Sequence, residues 1–149
     1  MPMDGSYEPS SSSMARDQVA LIESSDGADG TLLKGRPVVV LTMRGNKSGS
    51  IRKTPLMRVE HDGRYALVAS LGGAPRHPVW YYNLKADPHV QVQDGAARGD
   101  YVTHEASGAE RDEWWERSVE AFPDYADYQR ETDRVIPVFV AEPVDRATR

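Results

Sequence analysis

At 149 residues, with 39% hydrophobic and 28% charged side chains, the chain is sized for one domain around one core. The absence of cysteine excludes disulfides, thiolate metal sites, iron–sulfur clusters and a cysteine nucleophile, and His61, His77, His89 and His104 show neither HxH nor HExxH spacing, so no metal site is expected. A net charge of -5 argues against general nucleic-acid binding, no apolar run approaches the roughly 20 residues of a membrane span, and the start MPMDGSYEPSSSSM lacks the order of a secretory signal, so a cytoplasmic protein is the expectation.

In chain order, residues 1–13 are polar and serine-rich and read as a loose tail. Residues 14–24 place Val19 and Ile22 on one face of a short helix that Gly27 and Gly30 stop. The run PVVVLT at 37–42 predicts a strand buried on both faces, and the turn GNKSG leads to a second strand over 52–60 with Leu56, Met57 and Val59 as buried positions. His61, Asp62 and Gly63 read as a tight turn into a third strand at 64–70. Pro78 opens a short helix over 79–85, terminated by Asp87 and Pro88. Strands at 89–93 and 97–105 flank a turn at Asp94 and Gly95. Ser107 and Glu110 have capping-box spacing and open a helix through Phe122, with Trp114, Trp115, Val119 and Phe122 as its apolar side. Pro123 breaks that helix, Asp124 caps a second over 125–132, and a last strand covers 136–140. About six strands joined mainly by hairpins, with three or four short helices, predict an α+β fold: an antiparallel barrel filling a single domain at 14–143, with 144–149 as a C-terminal tail.

Between residues 34 and 58 lie seven basic side chains (Lys34, Arg36, Arg44, Lys47, Arg52, Lys53 and Arg58) and no acid, against the balance of the whole chain. Such a concentration of cations asks for an anion, and the turn offers a concavity for one. Gly45 and Gly49 let successive N–H groups converge, Lys47, Arg52 and Lys53 supply charge, and Ser48 and Thr54 supply hydroxyls. The alternative is a solvated hairpin with a charged rim. The GxxxxGK[ST] spacing of a P-loop is absent. Pro55 removes a backbone donor where a flat group could pack. Gly72 and Gly73 form a second turn that allows close approach of main chain to a ligand plane, or is a plain hairpin tip. Trp80, Tyr81 and Tyr82 cannot all face inward from a short helix, and Phe122, Tyr125 and Tyr128, three residues apart, form one wall of a pocket or seat their helix on the barrel. No GxSxG elbow holds a serine, which disfavours hydrolysis, and Glu110, Asp112, Glu113 and Glu116 read as a solvated helix face.

Taken together, RGNKSGSIRKTPLMRVEHDG, ASLGGAPRHPVWYYNL and WW…FPDYADYQRETDRVIPVFV resemble the deazaflavin-dependent nitroreductase family, small split-barrel proteins that bind coenzyme F420; the likeness runs from about residue 15 to 143. The resemblance implies a split β-barrel related to flavin-binding barrels and hydride donation from a reduced 8-hydroxy-5-deazaflavin to quinones, nitroaromatics or other activated acceptors. It assigns the coenzyme's phosphate and acidic tail to Asn46, Lys47, Ser48, Arg52, Lys53, Thr54 and Pro55. The ring falls to Val68, Ala69, Ser70 and Leu71 and to the helix start Val79, Trp80, Tyr81, Tyr82 and Asn83. The acceptor wall falls to Phe122, Tyr125 and Tyr128, and Ser70, Tyr125 and Tyr128 are the hydroxyls that would stabilise charge on the acceptor's oxygen. The sequence departs from some family members at Asn46 and Leu71, which replace basic residues, and at Phe122, which lacks a tyrosine's hydroxyl. FMN on the same barrel is the rival cofactor, and a non-catalytic anion-binding module the rival from another class. The expected partner is a small-molecule acceptor; a homodimer follows by analogy with flavin barrels, and contact with the inner membrane face has no support from the helix at 14–24, which is short and weakly basic.

Overall fold

The computed structural model describes residues 5–10 and 12–144. Helix α1 (Ser13–Ser24) starts at Ser12, whose hydroxyl accepts the Ala15 N–H, and buries Val19 and Ile22. Strand β1 (Leu32–Leu33) turns through Lys34 and Gly35 into β2 (Arg36–Arg44). Strands β3 (Ile51–Met57), β4 (Glu60–His61) and β5 (Arg64–Val68) follow, then helix α2 (Val79–Ala86), strands β6 (His89–Asp94) and β7 (Ala97–Glu105), helices α3 (Gly108–Ala121) and α4 (Asp124–Arg130), and strand β8 (Val138–Pro143).

All pairings between these strands are antiparallel, in the order β3–β2–β6–β7–β8–β5–β4, with β1 added to the start of β2. The sheet curls into a split barrel with a core on each face. Val38 and Val40 point into one core with Val19, Ile22, Trp114 and Tyr125; Val39, Leu41 and Met43 point into the other with Trp80, Leu84, Val92 and Phe139. That two-sided burial is why β2 reads as an unbroken apolar run rather than an alternation. Pro55 sits on β3, which pairs on one side only with a named strand, a position where a missing N–H is tolerated.

The six principal strands match the sequence expectation, and the two additional ones are two-residue pairs too short to show periodicity. The Asp62-Gly63 turn has both residues at positive φ (54° and 79°), the geometry that hairpins of this twist require. Three local expectations are corrected. The turn between β6 and β7 falls at Gly95 and Ala96, because Asp94 stays in its strand with its carboxylate accepting from Tyr65 Oη (2.6 Å) and Arg58 Nε (2.8 Å). Ser107 is the N-cap of α3 but makes no side-chain capping bond, and Glu110 instead lies 2.9 Å from His104 Nε2. Pro123, not Asp124, is the N-cap of α4; Asp124 is its first helical residue and its carboxylate takes the Lys34 ammonium at 3.2 Å. Of the expected N-terminal tail, residues 1–4 and 11 lie outside the described residues, whereas Tyr7 bridges to Ile51 on the outer edge of β3, with Ile51 N–H donating to Ser6 O and Glu8 N–H to Ile51 O. Most of the expected C-terminal tail, from residue 145, also lies outside the described residues.

Candidate active site

Two adjacent pockets meet at the N-terminus of α2. The first is the concavity of the basic turn. Gly45 N–H donates to Ser50 O (2.7 Å) and Gly49 N–H to Gly45 O (3.0 Å), closing the loop, and the Asn46 N–H is held by Asn83 Oδ1 of α2 at 3.0 Å. Asn46, Lys47, Ser48, Arg52, Val79 and Asn83 line a cavity of about 190 Å³ together with Gly45 and Glu8.

Charge in this region is answered differently from the sequence expectation. Acids from outside the basic window reach in: Glu8 pairs with Arg52 (3.1 Å), Glu23 with Lys53 (2.5 Å), Asp94 with Arg58 (2.8 Å) and Asp124 with Lys34 (3.2 Å). Arg36 and Arg44 donate to the carbonyls of Ala121 and Gly49. Of the seven cations, Lys47 alone meets no partner among the described residues, and it faces the cavity. The anion site is therefore smaller than the charge count suggests, because most of the cluster fastens the turn, α1 and the N-terminal segment to the barrel.

The second pocket, about 290 Å³, is apolar and drawn from five segments. It is lined by Thr54, Pro55, Leu56 and Met57 of β3, Val68 of β5, the turn residues Ser70, Leu71 and Gly72, and Pro78 and Trp80 at the start of α2. Phe122, Tyr125 and Tyr128 add an aromatic wall, and Leu33 and Lys34 complete the lining. The three aromatic rings pack edge to face or tilted, with centroids 5.0 to 6.2 Å apart. Burial, with a smaller contribution from Tyr128, pushes the Tyr125 phenol well above the ordinary tyrosine range, so it stays protonated as a hydrogen-bond donor.

The Ser70 side is held in an unusual backbone. Leu71, Gly72 and Gly73 are consecutive residues at positive φ (45°, 62° and 83°). A Cβ on Gly73 would lie 2.8 Å from Glu131 Oε2 and 3.0 Å from Tyr128 O, whereas one on Gly72 would meet nothing within 4 Å. Gly73 is thus glycine so that α4 and its tyrosines can seat on the turn; the close approach expected toward a ligand is made toward Tyr128. Arg134 fixes the same turn, donating to Ala69 O (3.1 Å), Ser70 O (2.8 Å) and Ala74 O (2.9 Å) and lying 3.1 Å from His77 Nδ1.

Four residues assigned to the cofactor by resemblance line neither pocket. Lys53 is committed to Glu23; Ala69 is fully buried, with its N–H on Pro137 O; Tyr81 stacks on His77 at 4.1 Å; and Tyr82 is exposed. Glu8, Lys34 and Arg134 were missed. The Lys34-Gly35 pair before a strand was a readable turn signal; nothing local marks the other two.

The pockets adjoin at the start of α2, where Val79 lines the polar one and its neighbours Pro78 and Trp80 line the apolar one. A flat ring lined by aromatic and aliphatic groups, beside an anionic group at Lys47 and Ser48, fits this pair; the expected convergence of backbone donors is not seen, because the N–H groups of Gly45, Asn46, Gly49 and Ser50 are taken by Ser50 O, Asn83 Oδ1, Gly45 O and Ser48 Oγ. The fold and site define a split-barrel protein with a ring-sized apolar pocket beside a smaller polar one. Residues 14–143 match the model of the F420H(2)-dependent quinone reductase family, and the chain belongs to that family. Coenzyme F420 is accordingly its cofactor and oxidoreduction its reaction class. It is 34% identical over 125 residues to the F420H(2)-dependent quinone reductase Rv1261c of Mycobacterium tuberculosis, covering 81% of this chain and 84% of the relative. A solved F420-H2 dependent reductase, FDR-A, is 56% identical with a TM-score of 0.69, over 72% of this chain and 95% of that one. A further solved structure, described as a domain-swapped dimer, is 51% identical with a TM-score of 0.71, over 85% of this chain and 96% of that one. A putative pyridoxamine 5'-phosphate oxidase from Listeria innocua, 12% identical with a TM-score of 0.52 over 87% and 93%, shares the fold alone.

Proposed function

We propose that the protein reduces a quinone, nitroaromatic or similar activated acceptor held against the wall of Phe122, Tyr125 and Tyr128. The observation that carries this reading is the ring-sized apolar pocket whose lining includes the hydroxyl-bearing side chains of Ser70, Tyr125 and Tyr128, with Thr54 beside them. Bound in its reduced form, coenzyme F420 supplies the hydride.

Asn46, Lys47, Ser48 and Arg52 hold the coenzyme's acidic tail through their side chains, since Asn83 Oδ1 already accepts the Asn46 N–H. Pro55, Val68, Leu71 and Trp80 orient the ring and exclude water from its face. Ser70 and Tyr128 donate hydrogen bonds to the acceptor oxygen as negative charge builds on it, and Tyr125, kept protonated by burial, retains an O–H to donate. No side chain is required to remove a proton.

The relative described as a domain-swapped dimer supports pairing of two copies of this chain, which light scattering would measure. Among the described residues no helix is long and apolar enough to cross a membrane. A cytoplasmic location, with quinone met at the inner membrane surface, belongs to this proposal.

The test is anaerobic mixing of the protein, reduced coenzyme and either menadione or a nitroaromatic, following reappearance of the oxidised coenzyme's absorbance. Saturable, protein-dependent reoxidation is expected. Coenzyme binding without reoxidation by any quinone or nitro compound would overturn the assignment.

A further inference from the structure

Among the fifteen residues lining the apolar pocket, Lys34 is the one charged side chain. It stands in the tight turn between β1 and β2 with φ at 54°, a conformation uncommon for residues other than glycine and asparagine, and this turn aims it across the pocket's edge. Its Nζ lies 3.2 Å from Asp124 Oδ2 and 5.7 Å from the centroid of the Phe122 ring. The Asp124 carboxylate and then the Tyr128 phenol hold the ammonium in its charged form. Asp124 does not itself line the pocket, so the charge that the lining presents to a ligand on the aromatic wall is the Lys34 ammonium.

We infer that Lys34 is a specificity-determining residue of the acceptor pocket, favouring acceptors whose ring bears an anionic substituent over neutral acceptors of the same shape. The inference rests on the proposed reading of this pocket as the acceptor site. The physical argument is one of contrast. Every other lining group offers apolar surface or a neutral hydroxyl, so it binds charged and uncharged rings alike or penalises the charged one for lost hydration. Lys34 supplies a compensating charge at one place only, next to Tyr128. Asp124 tempers it: the pair is more than half exposed on the lysine side, so an anionic ligand competes with the carboxylate for the ammonium, and salt screens both contacts.

The experiment compares a neutral naphthoquinone with its ring sulfonate, using the protein loaded with coenzyme. Michaelis constants for each are measured at low and raised salt, and dissociation constants come from quenching of protein fluorescence in the presence of oxidised coenzyme. Lys34→Gln is expected to raise the ratio of sulfonate to neutral constants about fivefold at low salt, the size of an exposed ion pair. Lys34→Arg should retain the wild-type ratio, and Asp124→Asn, which unmasks the ammonium, should lower it. An unchanged ratio in Lys34→Gln, or an equal change for both quinones, would overturn the inference. The quenching constants separate this from failure of the functional proposal: absence of turnover with either quinone would sink the latter, while the binding ratio still reads Lys34.

Discussion

The polar pocket takes five of its eight lining residues from one stretch, residues 45–52, whereas the apolar pocket gathers fifteen residues from between Leu33 and Tyr128. The first is a property of a turn and can be changed without disturbing the core. The second is a property of the fold: Phe122 and Tyr125 belong to the same core as Val38, Val40 and Trp114. With the proposed roles, tail binding draws on the turn and acceptor chemistry on the core, and substitutions in the two pockets should separate affinity from turnover.

The sharpest separation is expected from Tyr128→Phe. Removing one donor at a developing oxyanion lowers kcat about a hundredfold, with the coenzyme dissociation constant nearly unchanged; steady-state kinetics beside a binding titration read both. A parallel loss of affinity would mean that Tyr128 holds the coenzyme instead. Gly73→Ala should couple the acceptor pocket to folding, costing about 2 kcal/mol in denaturant unfolding, because its φ of 83° and the 3.0 Å approach to Tyr128 O both resist a Cβ. Gly72→Ala, with open space around it, should cost about half as much.

Effects at the tail pocket are smaller. Lys47→Ala should weaken coenzyme binding about fivefold at low salt and leave stability unchanged, since this lysine lacks a partner among the described residues. Glu8→Gln should act in the opposite direction. Its carboxylate accepts from Ser48 Oγ (3.3 Å) and pairs with Arg52 (3.1 Å), so an anionic tail must displace it, and affinity should rise by about the same factor.

The least effect is expected from pH. Burial raises the Tyr125 pKa in the folded chain, so its contribution is fully present below the unfolded value of about 10 and is lost as pH rises above it. Melting curves between neutral and strongly alkaline pH should therefore fall less steeply for Tyr125→Phe than for the wild type.

The same contrast explains what could be read from sequence. The valines of β2, the Asp62-Gly63 hairpin and the Pro78 helix start are each written in a few adjacent residues, and the structure places them as expected. The basic turn is equally local, so its concavity was legible, but its charge was overestimated: Glu8, Glu23, Asp94 and Asp124 lie far from it in sequence and only the fold brings them in. Arg134 was invisible for the same reason, since its bonds to the Ser70 turn span more than sixty residues. The role of Gly73 was misread because a glycine signals close approach without saying to what.

The most direct test of this division is a fluorescence titration of the protein with oxidised coenzyme F420 at low and raised salt, with FMN run beside it. Saturable deazaflavin binding is predicted, weakening with salt more steeply than any binding of FMN, because more of the ligand's charge lies in the tail pocket. Deazaflavin binding indifferent to salt, or tight FMN binding with no response to the deazaflavin, would contradict the account.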